Sequence, residues 1–153
     1  SVPPVDKEWG EYNLSPMARI LIAAGAFGDV IGAEKIGHTG PRPSVPEPAA
    51  TAEYGDYLVK ISGCRTCHGK ELSGGKDPNP DAPLGPNLTP GGELVAWSET
   101  DFMATLRTGV TPSGHQLSSE FMPWKALGNM TDDELKAVWL YLKSLPAKET
   151  TTK

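Results

Sequence analysis

A chain of 153 residues with 38% hydrophobic and 22% charged side chains can pack one domain with an extension, and is too apolar for disorder throughout. Nineteen acids against fourteen bases leave a net charge of −5, which argues against nucleic acid as the main partner, because phosphate binding needs a basic face. No run of about 18 apolar residues occurs, so no segment is expected to span a bilayer unaided; no signal peptide heads the chain, so any export signal is expected to be gone already. Glycine and proline, 17 and 15 residues, are abundant enough to predict long stretches of loop.

In chain order, Ser15-Pro16 reads as a helix N-cap and first residue. Ile20, Ala24, Phe27 and Ile31 then recur at helical spacing and predict a short apolar helix over about 16–31, which Gly32 could stop. Met17 in this stretch reads as core or interface packing. The segment is short and interrupted by Asp29, and Gly25 and Gly28 each cost about 1 kcal/mol against alanine, so such a helix needs tertiary or partner contacts. Pro41, Pro43, Pro46 and Pro48 predict an extended polyproline-type strap over 40–48; ~10 such residues reach ~30 Å. Residues 1–50 therefore form an N-terminal extension. It either folds back on its own domain, or is disordered, or serves as a docking arm onto a larger subunit.

Tyr54, Tyr57, Leu58 and Ile61 fall at i, i+3, i+4 and i+7 and predict an amphipathic helix, in which Gly55 could permit a close helix–helix approach. The helix runs into Cys64-Arg65-Thr66-Cys67-His68, which holds both cysteines of the chain. A redox disulfide, half of a zinc site, two unrelated thiols and a haem attachment site compete for such a pair. His68 immediately after Cys67 completes the C-x-x-C-H haem attachment signature. A zinc site would need further ligands at spacings that His38 and His115 do not offer, and a thioredoxin-like site would need a strand–helix alternation that is missing. Covalent haem needs two thiols and an imidazole on one face, and residues three and four apart on a helical turn share one. The imidazole also needs an acceptor for its second ring nitrogen.

Residues 69–97 are a Gly/Pro/Asn-rich stretch without periodicity. Ser98 and Gly109 read as the caps of a helix in which Phe102 and Leu106 share a face and Met103 adjoins it, a core-packing position. A loop follows, with His115 and then Glu120-Phe121-Met122-Pro123-Trp124. Thr131-Asp-Asp-Glu134 is a capping box opening a helix with Leu135, Val138, Trp139 and Leu142 on one face, and Met130 stands at its mouth. Of the four methionines, Met122 is the candidate for the sixth position of a haem iron: it lies in a loop, with Pro123 fixing the backbone beside it. His115 is the rival ligand from the same loop. The tail 148–153 is expected to fray.

These residues together resemble the class I c-type cytochromes over about residues 51–146. Beside the attachment motif, Gly85-Pro86-Asn87-Leu88 is similar to the family's G-P-N-L segment, Met122-Pro123 to its axial Met-Pro segment, and Trp97 to the tryptophan before the capped helix. Gly55-Asp-Tyr-Leu-Val59 and Trp139-Leu-Tyr-Leu142 resemble its two crossing terminal helices. The resemblance implies an all-α fold of short helices and long Gly/Pro-rich loops around one covalent haem, in a domain over 51–147. It implies that Cys64 and Cys67 carry haem c, that His68 and Met122 ligate iron, that the Pro86 carbonyl accepts from His68, and that Trp97 donates to a haem propionate. The wording is most similar to cytochrome subunits or domains of bacterial membrane-associated dehydrogenases and quinol-oxidising complexes.

The expected function is electron transfer by one His/Met-ligated haem in an extracytoplasmic respiratory or dehydrogenase chain. The location would be the periplasm or another extracytoplasmic face. Redox partner proteins are expected, including a larger membrane-associated complex docked through residues 1–50. Residues 51–147 hold twelve acids and eight bases, so a partner face should be neutral or basic. No residue need act as acid, base or nucleophile, so the chain is not expected to be an enzyme alone. The alternative is a haem enzyme or gas-binding sensor with a displaceable sixth ligand, for which Gly109–Gly114 offers a loop able to open.

Overall fold

A computed structural model describes residues 14–24, 39–40, 44–77, 79 and 81–151. The chain divides into two compact units, Ser1–Pro43 and Ser44–Lys153.

In the first unit, α1 (Pro16–Ala23) starts as the sequence predicts. The Ser15 hydroxyl accepts from the Ala18 N–H at 3.2 Å, and Pro16 occupies the first turn. Leu14, Met17 and Ile20 are exposed. The predicted continuation to Ile31, the stop at Gly32, His38, Pro41 and Pro43 lie outside the described residues. Of the strap, residues 44–48 form neither helix nor strand.

The second unit is built on a pair of helices packed against each other. Thr51 caps α2 (Ala52–Ile61), accepting from the Tyr54 N–H at 3.3 Å. Thr131 and Glu134 form the reciprocal capping box of α6 (Asp132–Ser144), with bonds of 3.2 and 2.7 Å. The two helices meet at Gly55, where a Cβ would stand 2.0 Å from the Ala137 carbonyl oxygen and 2.8 Å from the Tyr141 Cβ. Only glycine lets these backbones touch, as the sequence suggests. Tyr54, Leu58, Leu135, Val138, Trp139 and Leu142 are buried, and complete burial of a leucine stabilises by roughly 1.5–3 kcal/mol. Ile61, predicted on the core stripe, is exposed at the last residue of α2, and Val59 is buried instead.

α4 (Glu99–Thr108) packs Phe102 against Trp139, with ring centroids 5.5 Å apart. Ser98 and Asp101 cap it reciprocally, and Gly109 ends it at φ 74°, a left-handed cap that glycine adopts without strain. Met103 and Met130 are half-buried against the core, the packing role expected of them. The remaining helices are single turns: α3 (Cys64–His68), α5 (Trp124–Leu127) and a 3₁₀ turn at Glu93–Ala96.

Two features add to what the sequence leads one to expect. The fold is helical, but the stretch read as aperiodic contains an antiparallel ladder, β1 (Ser73–Lys76) with β2 (Leu84–Asn87), in register Ser73↔Asn87, Gly75↔Gly85 and Lys76↔Leu84. So few large side chains in these strands leave no alternating pattern to read. The tail also does not fray as far as Thr151: its backbone N–H donates to the Ser73 carbonyl at 2.8 Å, and the Lys148 carbonyl accepts from Asn87 at 2.8 Å.

Candidate haem-binding site

α3 sets Cys64, Cys67 and His68 on one helical turn between Gly63 and Gly69, both at positive φ. The β-ladder backs this turn directly. A Cβ at Gly85 would lie 2.1 Å from the Cys67 carbonyl oxygen, so backbone rests on backbone. Arg65 fastens the turn from the other side: its guanidinium donates to the Tyr141 hydroxyl of α6 at 2.7 Å and to the Lys70 carbonyl, and it stands 3.9 Å from the Asp56 carboxylate of α2.

The His68 ring is buried, at 5% exposure. Its Nδ1 lies 2.9 Å from the Pro86 carbonyl oxygen. A carbonyl can only accept, so Nδ1 carries the proton and Nε2 keeps its lone pair. Burial pushes the imidazole pKa below its ordinary value, against the opposing pull of the Pro86 bond. The ring is therefore neutral at neutral pH, the form that ligates a metal.

Cys64 and Cys67 are free thiols, not bonded to each other. Burial raises the Cys64 pKa. Burial, then donation to the Asp77 carboxylate at 2.7 Å, pushes that of Cys67 up to about 11. Asp77 in turn is held below the usual carboxylate range by that bond and by the Asn79 N–H. Before any haem is attached, both sulfurs are thus protonated thiols.

Met122, Trp97 and Cys64 are each half-buried against the same core cluster. The loop carrying Met122 is closed by Trp124, whose indole N–H donates to the Leu117 carbonyl at 3.1 Å. Its ring covers Gly109 so closely that a Cβ there would be 2.4 Å away. The Leu117 N–H donates to the Gly109 carbonyl at 2.7 Å, and the Trp124 N–H to that of Met122 at 2.7 Å. His115 is exposed at the far end of this loop, its backbone paired with Thr111 at 2.9 Å. The Thr105 hydroxyl on α4 is buried without a hydrogen-bond partner among the described residues.

The donor set fits covalent haem: two thiols and a neutral buried imidazole on one turn, with a half-buried thioether on the same core and an orphaned hydroxyl. Of the predicted residues, α3 brings Cys64, Cys67 and His68 together, and Pro86 joins them by a direct bond. Arg65, Asp77, Gly109 and Trp124 support the site without having been predicted to. Only Gly109, read as a cap, and Trp124, next to Met-Pro, carried a signal.

A closely packed helix pair beside a C-x-x-C-H turn is the architecture of a monohaem class I c-type cytochrome. The family model for cytochrome c oxidase, cbb3-type, subunit III matches residues 50–142, and the chain belongs to that family. Among curated proteins, none matches the chain. The family's cytochrome c domain binds haem c covalently and transfers electrons.

Proposed function

We propose that this chain carries single electrons on one haem c, held by thioethers from Cys64 and Cys67 and ligated by His68 and Met122. When bound, the haem supplies the one-electron ferric/ferrous couple. His68 offers Nε2 because Pro86 holds its other nitrogen, and that bond makes the imidazole a stronger donor. Met122 offers a soft thioether from a clasped loop, which raises the potential relative to a second histidine. Trp97, half-buried against the core, would donate its indole N–H to a propionate. No proton need move at any of these groups. The observation that carries this reading is the buried His68 ring with its Nδ1 2.9 Å from the Pro86 carbonyl.

The test is Met122→Ala. The parent should show a far-red sulfur-to-iron band that disappears in the variant, and the variant's potential should fall. A variant identical to the parent in both would remove Met122 from the iron. Prompt binding of carbon monoxide by the reduced parent at neutral pH would favour the displaceable-ligand alternative.

The family's name is that of a respiratory oxidase subunit, and thioether attachment normally follows export. Work in a respiratory or dehydrogenase chain on the periplasmic or another extracytoplasmic face follows as part of the same proposal. Met17 and Ile20, exposed on α1, and Leu14, exposed just before it, support residues 1–50 as the docking arm onto a membrane-associated redox complex. No helix of the described residues is long and apolar enough to cross a membrane. A chain lacking residues 1–43 should keep its haem and lose sedimentation with source membranes; retained sedimentation would refute the arm.

A further inference from the structure

We infer that the C-terminal strap Lys148–Thr151 is a positioning element for His68, acting through Asn87 on the Pro86 carbonyl. This inference rests on the axial role proposed for His68. The Pro86 carbonyl belongs to the peptide unit joining Pro86 to Asn87. Its direction is set by the backbone torsions on either side. The proline ring locks φ on the amino side of Pro86, so the direction of this peptide depends on the torsions that lead into Asn87. The other flank is Asn87, 4% exposed and fully engaged by its side chain.

The Asn87 amide reaches the strap and the following turn at once. Its Nδ2 donates to the Lys148 carbonyl at 2.8 Å and to the Thr150 hydroxyl at 3.2 Å. Its Oδ1 accepts from the Thr89 N–H at 2.9 Å and from the Thr89 hydroxyl at 2.7 Å. Thr89, wholly buried, accepts in turn from the Lys148 N–H at 3.2 Å. The strap is seated on bare backbone: a Cβ at Gly91 would stand 2.0 Å from the Lys148 carbonyl oxygen. Its end is fixed to β1, where the Thr151 N–H donates to the Ser73 carbonyl at 2.8 Å and the two hydroxyls lie 3.2 Å apart. Ser73 is the ladder partner of Asn87, so the strap grips both strands at the register position next to Pro86.

Removing the strap takes away both protein acceptors of the Asn87 Nδ2 and opens the amide to water, and the peptide unit regains freedom to turn. The Pro86 carbonyl then holds the His68 Nδ1–H less well. A weaker acceptor makes the imidazole a poorer donor, which stabilises ferric iron less, so the reduction potential rises.

The experiment compares the full-length holoprotein with a chain ending at Ala147 and with Thr150→Val and Thr150→Ser. It measures the midpoint potential and, by proton NMR of the reduced state, the solvent exchange of the His68 Nδ1–H. In the shortened chain exchange should accelerate at least about tenfold and the potential should move upward. Thr150→Val should move both in the same sense by less, and Thr150→Ser should restore the parent values. Parent-like exchange and potential in the shortened chain, whatever its melting temperature, would overturn the inference. If that chain does not retain haem, parent-like values in Thr150→Val overturn it instead. A full-length protein whose iron is not histidine-ligated defeats both the proposed function and the strap, whereas a histidine-ligated parent with unchanged variants defeats the strap alone.

Discussion

The two sides of the candidate haem site are held by different means. On the His68 side, backbone packs on backbone: Gly85 against the Cys67 carbonyl, the ladder behind α3, and a buried ring bonded to Pro86. On the Met122 side, a loop of largely exposed residues is closed by one half-buried indole lying over Gly109. Close-packed backbone cannot give way without moving several elements, whereas a loop closed by a side chain can open when that side chain is lost. The imidazole side should therefore fail with the fold, and the thioether side should fail alone.

Gly85→Ala offers the sharpest way to break this contrast. Its Cβ meets the Cys67 carbonyl oxygen at 2.1 Å and the Cys67 carbonyl carbon at 2.7 Å, neither of which can rotate aside. We expect a loss of about 3 kcal/mol of stability, at the upper end for overpacking, with reduced haem incorporation. Thermal unfolding and the haem-to-protein ratio measure it; a stable, fully loaded variant would refute rigid backing of α3. Trp124→Ala comes next. A half-buried indole should cost less than the ~3–5 kcal/mol of a fully buried one, about 2 kcal/mol. Its signature is selective: the sulfur-to-iron band should weaken and carbon monoxide should bind, while the His68 Nδ1–H stays protected. Equal loss on both faces would erase the distinction.

The same contrast explains what could be read in advance. Caps and the attachment turn are local, so Ser15, Ser98, Thr131–Glu134 and Cys64–His68 were legible from spacing alone. Gly55 was legible because a glycine inside a helical pattern suggests a close backbone approach. The backing of α3 was not. Strand β1 reads Ser-Gly-Gly-Lys, which offers no alternating faces, and the ladder follows from contact with α3 rather than from strand propensity. The tail misled for a similar reason. Lys148–Thr151 is polar and lacks periodicity, and its order comes from Asn87, Thr89 and Ser73, some sixty to eighty residues upstream in sequence. Hydrogen bonds at that separation leave no local trace. The Gly85-Pro86-Asn87-Leu88 motif includes the carbonyl that lies 2.9 Å from the His68 Nδ1, whereas Arg65, at a variable position of C-x-x-C-H, carries no such mark.

Smaller effects should track single contacts. Ser98→Ala removes the hydroxyl that accepts from the Asp101 N–H at 3.1 Å, and should cost about 1 kcal/mol by thermal unfolding without changing the potential. The smallest expected effect is a pH dependence. The Lys148 ammonium, hydrogen-bonded to Glu71, holds that carboxyl below its ordinary value of 4.5. A carboxyl depressed in the folded state favours folding once the unfolded chain's carboxyl is ionised. Its contribution is therefore complete above the ordinary value and disappears as pH falls through the lower, folded one. Both groups lie at the surface and salt screens them, so the gain is slight. Comparing the parent with Glu71→Gln from pH 7 down to pH 3, the parent's small advantage in melting temperature should shrink only in the acid part of that range. An advantage that stays constant across it would mean that Glu71 contributes to stability through packing and not through its charge.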